Sequence, residues 1–239
     1  MDRQKVVSVS LFGSSRKYLA GSEKLAMSVK KNLPGWNTVF FLGDSVPQKY
    51  RNRLVGHGAK IVSVGEKEDL TATAWRFRLD QLGAPTWVIF RDADSVVTKR
   101  EASAVTEWIE SDYKAHIIRD HPFHSSSMLA GLWGIKPEAF TWFQREVEDY
   151  SFDNSYGSDQ NFLNAHVYPR ILDSTMVHAS FHQHEAVNQT RHFKVGSSRL
   201  GVFCGESATE RWPVRSYARL RRLVDSKSCS CEGSSYLKH

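Results

Sequence analysis

The stretch TWVIFRDADSVVTKRE, residues 86–101, contains the pattern that decides the fold prediction. Its apolar run Val88-Ile89-Phe90 has the composition of a buried strand and leads directly into two carboxylates, Asp92 and Asp94. Thr98-Lys99-Arg100-Glu101 then matches a helix start, with Thr at the cap position and Glu three residues later. The stretch therefore predicts a strand, an acidic turn and a helix that begins near Lys99.

Strand and helix patterns alternate on both sides of this stretch. Apolar and β-branched runs predict strands, and apolar residues at helical spacing predict helices between them. The expected strands are 6–12, 39–42, 60–64, 87–90, 116–119 and 128–135, and the expected helices are 17–32, one opening at Val46-Pro47, 68–82, 99–111, 138–150 and 158–165. Such alternation predicts an α/β domain with a mostly parallel central sheet flanked by helices.

Length and composition suit one globular domain. The chain has 239 residues, 41% of them hydrophobic and 24% charged, which is enough apolar mass for a sizeable core. We expect the domain to span residues 1–225 and residues 226–239 to form a flexible tail. The N-terminus matches a first strand better than a signal peptide, and no apolar run is long enough for a transmembrane helix.

The net charge indicates which kinds of partner the protein binds, and the cysteine content indicates its cellular compartment. The three cysteines, Cys204, Cys229 and Cys231, are too few for a disulfide framework and predict a cytoplasmic protein. The net charge of +6 favours acidic partners such as nucleotides, phosphates or anionic lipid. No nucleic-acid recognition motif accompanies it. Part of the charge excess lies in the basic segment 211–223, and RSYARLRRLV (215–224) is either a membrane-peripheral helix or a solvated one.

Asp92 and Asp94 predict a metal site. In open α/β sheets, ligands bind beyond the carboxyl ends of the parallel strands, where these two residues are expected. Two carboxylates so close repel each other unless a cation lies between them or one is protonated. Mg²⁺ and Mn²⁺ are held by such carboxylates together with substrate phosphates. The pair therefore predicts a divalent-cation site for a nucleoside diphosphate, with a solvated turn as the alternative.

Two other functions are compatible with the same residues. The sequence D-x-D-S after a strand also resembles the phosphoaspartate motif of haloacid dehalogenase-type phosphatases, in which Asp92 would be the nucleophile. That motif normally follows the first strand and has a Thr or Ser two residues beyond its second Asp. Here three strands are expected before Asp92, and Ser95 follows Asp94 immediately. The other possibility is a non-catalytic basic binding module.

Four segments, taken in order, resemble the motifs of GT-A-fold nucleotide-sugar glycosyltransferases. They are WRFRLDQLGAPTWVIFRDADSVV (75–97), MLAGLWGIK (128–136), YGSDQNFLN (156–164) and MVHASF (176–181). The resemblance is to family 8 and related enzymes of lipopolysaccharide, capsule and viral glycan synthesis. Residues 14–47 resemble the opening of bacterial and viral relatives, so the similarity spans roughly residues 5–205.

The resemblance implies a retaining transferase that moves a sugar from a UDP-sugar to a glycan or lipid-linked acceptor. It places Asp92, Asp94 and His178 around Mn²⁺ or Mg²⁺, and makes Asp159 and Gln160 the catalytic pair facing the donor sugar. The donor would be bound by residues of the first strand end, the third helix and the acidic turn. These residues are Leu11, Phe12, Gly13, Arg76, Asp92, Ala93 and Asp94, together with Gly131 from the segment 128–136 that runs under the donor sugar in the family.

The chain departs from family 8 in ways that leave some roles open. Ala130 and Asn161 replace residues that are usually polar and acidic, respectively. The terminal motif with the phosphate-contacting lysine is missing, and Lys194 or Arg199 is the expected substitute. After a predicted strand, Asp120 either binds sugar hydroxyls or forms a salt bridge within its own loop.

Overall fold

The computed structural model describes residues 4–83, 85–182, 184–194 and 203–209. Its strands are β1 Gln4–Leu11, β2 Trp36–Leu42, β3 Lys60–Ser63, β4 Pro85–Arg91, β5 Ala115–Arg119, β6 Leu132–Ile135, β7 Thr175–Ala179 and β8 Thr190–Arg191. Its α-helices are α1 Arg16–Asn32, α2 Gln48–Gly56, α3 Lys99–Ile109, α4 Phe140–Asp149, α5 Ser158–Phe162 and α6 Tyr168–Ile171. The predicted tail 226–239 and the basic segment 211–223 lie outside the described residues.

The strands form a single mixed sheet in the order β3-β2-β1-β4-β6-β5-β7-β8. Within the described part of the chain, β6 alone runs against its neighbours β4 and β5, and the other pairings are parallel. The prediction of a mostly parallel α/β sheet is confirmed. Because β6 reverses once, β5 and β7 point the same way as β4, so the carboxyl ends of these strands share one edge.

Both faces of the sheet are covered by apolar side chains. Along β1, Val6 packs into one cluster with Phe77 and Phe90, while Val7 packs into the other with Leu25 and Ile89. This alternation follows from the two-residue period of a strand. Parallel sheets are normally buried on both faces in this way. The edge with the strand ends is thus the part of the sheet available to a ligand.

The predicted helix over 68–82 is wrong in type. The chain forms two 3₁₀ helices there, Leu70–Phe77 and Leu79–Leu82. Hydroxyls on β1 bind the backbone groups that an α-helix would use: Ser8 Oγ donates to the Arg76 carbonyl at 2.6 Å, and Ser10 Oγ donates to the Thr73 carbonyl at 2.9 Å. The Arg76 N–H in turn donates to Ser10 Oγ at 2.8 Å. These contacts tie Arg76 to β1.

The helix start predicted after the acidic turn is confirmed, and its Glu101 also pairs with Arg91 at the end of β4. Thr98 caps α3, and its Oγ1 accepts from the Glu101 N–H at 3.1 Å. The Glu101 carboxylate lies 3.1 Å from the Arg91 guanidinium, and both side chains are buried. Burial raises the pKa of Glu101 to about 7 although Arg91 opposes the shift. The pair fixes α3 to the end of β4.

Two further boundaries differ from the sequence prediction. The strand expected over 128–135 is confined to β6, and the residues before it form a loop. The helix expected over 158–165 ends as α5 and continues as a π-helical turn, Leu163–Val167. No helix within the described residues is both long and apolar enough to cross a membrane.

Candidate active site

The candidate site lies at the edge where β1, β2, β4 and β5 end and β6 begins. The loops that meet there are 12–15, 43–45, 92–94, 120–124 and 128–131. Each follows or precedes a buried strand, so its position is fixed by the sheet. Arg76, Asp92 and Asp159, predicted from separate parts of the sequence, meet at this part of the edge, whereas His178 and Lys194 do not.

Asp92 is the first residue after β4, and its side chain is 53% exposed. Its Oδ1 accepts from the Arg76 guanidinium at 2.6 Å, and the same nitrogen of Arg76 also donates to the Arg91 carbonyl at 3.1 Å. Desolvation opposes the charge on Asp92, but the attraction and hydrogen bond of Arg76 outweigh it and lower the pKa. Asp92 is held as a carboxylate in one orientation.

Arg76 also binds Asp159, so one guanidinium joins two predicted site residues. Its second nitrogen donates to Asp159 Oδ2, and the side chains of Arg76 and Asp159 are only 5% and 8% exposed. Burial opposes the charge of Arg76, but the two carboxylates raise its pKa. Asp159 is placed by the first turn of α5, after Gly157 in the left-handed region. The structure therefore brings Arg76, Asp92 and Asp159 together.

Gly131 lies directly against Asp92. A Cβ added there would be 2.1 Å from Asp92 Oδ2, so any side chain would displace the carboxylate. The Gly131 carbonyl accepts from Arg91 at 2.9 Å. Earlier in the same loop, the Asn164 amide both accepts from and donates to the backbone of Met128, at 2.9 and 3.0 Å. The loop is thus held so that its glycine leaves room for the carboxylate.

Asp94 is bound by helix α1. Its Oδ2 lies 3.1 Å from the Lys17 ammonium, and its side chain is 18% exposed. One helical turn later, a Cβ on Gly21 would be 2.6 Å from the Asp94 Cα and 2.9 Å from the Ala93 carbonyl oxygen. Ala93 itself is buried. Only glycine permits α1 to pack this closely on the acidic turn.

The loops after β1 and β2 are joined by Glu68, which the sequence analysis did not single out. Its carboxylate accepts from the Gly13 N–H at 3.2 Å and from the Ser45 N–H at 2.8 Å. Burial opposes its charge, but these hydrogen bonds and that of the Ser45 hydroxyl lower its pKa. Phe12 packs edge-on against Trp75, at 5.8 Å between ring centroids, and Leu11 is buried in the core.

His178 does not reach the two aspartates. Strands β6 and β5 separate its strand, β7, from β4. The His178 ring is buried, with Nδ1 2.8 Å from His116 Nε2 and Nε2 3.7 Å from Glu107 Oε2. Burial lowers its pKa to about 4. Among the described residues, no group of three or more His, Cys, Asp or Glu side chains could hold a metal ion. The expected ligand set of Asp92, Asp94 and His178 is therefore not formed.

Asp92 and Asp94 supply carboxylate oxygens, the type of ligand that a divalent cation such as Mg²⁺ or Mn²⁺ prefers. Magnesium-type sites commonly take one or two carboxylates and complete their coordination with substrate phosphates and water. Asp92 is half exposed, and its carboxylate packs against Gly131, where no side chain displaces it. The donor set suits Mg²⁺ or Mn²⁺ bound together with a diphosphate, without the imidazole ligand.

The remaining predicted residues divide between the site and its surroundings. Gln160 lies beside Asp159, and its N–H donates to Asp159 Oδ1 at 2.8 Å. Asp120 is buried and accepts from Arg100 at 2.7 and 3.0 Å, so its salt bridge is formed with helix α3 and not within its own loop. Lys194 lies 3.0 Å from Glu107, beside His178 and not beside the aspartates. Arg199 is outside the described residues.

Tyr18, which the sequence analysis did not single out, lies near the aspartates, and Tyr156 lies near Tyr18. Tyr18 is 43% exposed and Tyr156 is 94% exposed. Burial raises the pKa of Tyr18, and the charges of Asp94 and Asp92 and its interaction with Tyr156 add to the shift. Neither residue belongs to a periodic pattern, so only the folded chain shows that the two tyrosines are neighbours.

No protein-family model and no curated protein matches the sequence. Solved structures do match. Glucosyl-3-phosphoglycerate synthase from Mycobacterium tuberculosis in complex with phosphoglyceric acid matches with a TM-score of 0.53 and 13% identity, over 98% of this chain and 82% of that chain. The same enzyme with Mn²⁺, uridine diphosphate and glucosyl-3-phosphoglycerate has a TM-score of 0.52 at the same identity and coverage.

The chain has a GT-A fold. The glycosyltransferase GlyE of Streptococcus pneumoniae also matches, with a TM-score of 0.50 and 16% identity, over 74% of this chain and 45% of that chain. At these identities the similarity is one of architecture. The resemblance seen in the sequence is thereby confirmed for the fold, while a particular family within it is not shown.

Proposed function

We propose that the protein is a glycosyltransferase that moves a sugar from a nucleoside diphosphate sugar, with UDP as the carrier, to a glycan or lipid-linked acceptor. The observation that carries the proposal is the placement of Asp92 and Asp94 at the carboxyl edge of a GT-A sheet, with Asp159 joined to Asp92 by a buried guanidinium. A structural neighbour that contains Mn²⁺ and uridine diphosphate supports it.

The donor would lie along the edge from β2 to β6. The two loops that contain Gly13 and Ser45, joined by Glu68, would hold the base and ribose. Asp92 and Asp94 would hold Mn²⁺ or Mg²⁺ against the diphosphate. When bound, such a cation neutralises the charge that develops as the nucleoside diphosphate leaves. Gly131 would allow the Asp92 carboxylate to keep the position from which it holds the cation.

The protein groups expected around the sugar would stabilise charge and would not supply a strong nucleophile. Arg76 fixes the orientation of Asp92 and balances the charge of Asp159. Asp159 and Gln160 would then face the cationic sugar that forms as the bond to the diphosphate breaks. Stabilisation by groups already fixed in place is effective because nothing has to reorganise during the reaction. We expect retention of anomeric configuration from the family resemblance.

The acceptor would bind beside Tyr18 and Tyr156. Tyr18 is solvent-accessible next to the aspartates, Tyr156 is exposed near Tyr18, and both rings offer apolar faces with a polar tip. Such faces suit the C–H surface of a sugar ring, while the hydroxyls remain free to pair with surrounding polar groups. These two residues favour a carbohydrate acceptor.

Calorimetric titration with UDP in the presence of Mn²⁺ tests the donor site. We expect the wild type to bind, and Asp94→Asn to lose at least about tenfold in affinity because one charged ligand of the cation is removed. Asp173→Asn is the matched control, since this aspartate is exposed and lies in the turn before β7. Equal affinities in wild type and Asp94→Asn would contradict the proposal, and phosphatase activity without a sugar nucleotide would favour the phosphohydrolase alternative.

A further inference from the structure

Both carboxylates of the acidic turn have a basic partner, but the two partners differ in how they are held. Arg76 is 5% exposed and is bound by Asp92, by Asp159 and by the Arg91 carbonyl. The Lys17 side chain is 36% exposed and extends from the first turn of α1 to Asp94 at 3.1 Å. The arginine is therefore part of the interior, whereas the lysine reaches the site from the surface.

The backbone position of Lys17 is fixed even though its ammonium is accessible. Lys17 and Gly21 are four residues apart, so they lie on the same face of α1. Gly21 packs against the backbone of Asp94, where a Cβ would be only 2.6 Å from the Cα. The helix thus aims Lys17 at Asp94, while the flexible side chain allows the charge to shift by a few ångströms.

The position of Lys17 at a helix N-terminus is electrostatically unfavourable, and a bound anion would relieve it. The first turn of α1 contains no acidic residue, and its N-cap Ser15 makes no side-chain capping hydrogen bond. A lysine at a helix N-terminus is disfavoured by the helix dipole, which attracts anions there. Asp94 offsets part of this cost. A diphosphate bound at the acidic turn would offset it further.

We propose that Lys17 and the divalent cation compete for Asp94, and that Lys17 transfers to the diphosphate when metal and nucleotide bind together. The inference rests on the proposed function and assigns the phosphate-contacting lysine that the sequence left open. An ammonium and a divalent cation on one carboxylate repel each other strongly. The metal alone therefore binds weakly, and the diphosphate raises its affinity by giving Lys17 a second partner.

This exchange makes metal and nucleotide binding cooperative. By linkage, UDP raises the affinity for Mn²⁺ by the same factor by which Mn²⁺ raises the affinity for UDP. Part of that factor comes from direct contact between the cation and the diphosphate and does not depend on Lys17. The part due to Lys17 is lost when its charge is removed.

The test is the dissociation constant of Mn²⁺, measured by electron paramagnetic resonance of the free ion, with and without UDP. We expect Lys17→Met to bind Mn²⁺ alone about tenfold more tightly than the wild type and to show a coupling factor about tenfold smaller. Lys17→Arg keeps the charge and should retain most of the wild-type coupling. Lys30→Met, an exposed lysine of the same helix, should behave as the wild type.

The outcomes separate this inference from the proposed function. If Lys17→Met has wild-type affinity for Mn²⁺ alone and wild-type coupling, the competition is overturned, while the donor site stands as long as Asp94→Asn loses binding. If the wild type binds neither Mn²⁺ nor UDP, both proposals fail. Circular dichroism of each variant establishes that its fold is retained, which we expect because Lys17 is a surface residue.

Discussion

At the scale of single residues, Arg76 controls the charge balance of the candidate site. It is the buried cation between Asp92 and Asp159. Its removal leaves the Asp159 carboxylate, whose side chain is only 8% exposed, without its guanidinium partner. Breaking a buried pair from one side costs far more than breaking a surface pair, because the remaining charge has lost its water as well as its partner. The residue is thus structural as well as functional.

We expect Arg76→Met to lower the free energy of unfolding by about 3 kcal/mol and to weaken UDP binding in Mn²⁺. Urea denaturation and calorimetry provide the two measurements. Arg78→Met is the matched control, since Arg78 pairs with Glu66 at the surface, and its loss should cost at most about 1 kcal/mol. Equal losses of unfolding free energy in the two variants would show that the buried pairing of Arg76 stabilises the fold no more than a surface ion pair does.

Single residues also show what the sequence could and could not predict about the site. Asp92 and Asp94 were predictable because a strand and the turn after it are local, and local patterns fix their position. The exclusion of His178 depends on the order of strands in the sheet, which places β6 and β5 between it and the aspartates. The role of Glu68 likewise depends on two loops from distant parts of the chain meeting at one carboxylate.

At the scale of elements, the contact between α1 and the acidic turn sets the geometry of Asp94. Gly21→Ala would place a Cβ 2.6 Å from backbone that cannot give way without moving the turn. We expect it to weaken UDP binding in Mn²⁺ by about tenfold or more and to destabilise the fold by roughly 1–3 kcal/mol through overpacking.

The control for this element is Gly56→Ala, in the last turn of α2. A Cβ there meets nothing within 4 Å, and alanine favours the helix over glycine. Its stability should be unchanged or slightly higher, and its UDP affinity equal to that of the wild type. Chemical denaturation and calorimetry of the two variants decide the matter. A Gly21→Ala protein with unaltered affinity would mean that the close approach has no role in the site.

Elements were predicted best where local pattern and tertiary contacts agree. Helices α1 and α3 followed their apolar spacing and caps closely. The prediction of one helix over 68–82 was wrong because Ser8 and Ser10, more than sixty residues away in sequence, bind the backbone of this segment and favour 3₁₀ geometry. Tertiary hydrogen bonds of this kind override helix propensity, and no local pattern reports them.

At the scale of the whole molecule, the alternation of strands and helices was sufficient to predict the α/β class, but not the reversal of β6. That reversal joins the β3-β2-β1-β4 half of the sheet to the half containing β5 and β7. The second half is held by a buried contact between His116 on β5 and His178 on β7, at 2.8 Å. The stability of the fold should therefore depend on these two rings remaining neutral.

Burial gives both histidines a lowered pKa, to about 4 for His178 and well below 6.5 for His116, where neighbouring His178 adds to the shift. Glu107 opposes the shift of His178, while Arg191 and Lys194 add to it. Below pH 6.5 these two histidines take up protons in the unfolded chain but not in the folded chain. Their contribution to stability is therefore complete above pH 6.5 and is lost as the pH falls towards 4.

His178→Gln removes one of these titrations. We expect its free energy of unfolding, measured by urea denaturation, to fall less steeply than that of the wild type between pH 6.5 and 4. The difference should change by on the order of 3 kcal/mol across this window. His192→Gln, at an exposed position on the same segment as Lys194, should follow the wild type at every pH. Parallel curves for wild type and His178→Gln would show that the buried pair does not limit stability in acid, and the joining of β5 to β7 would then depend on their backbone pairing alone.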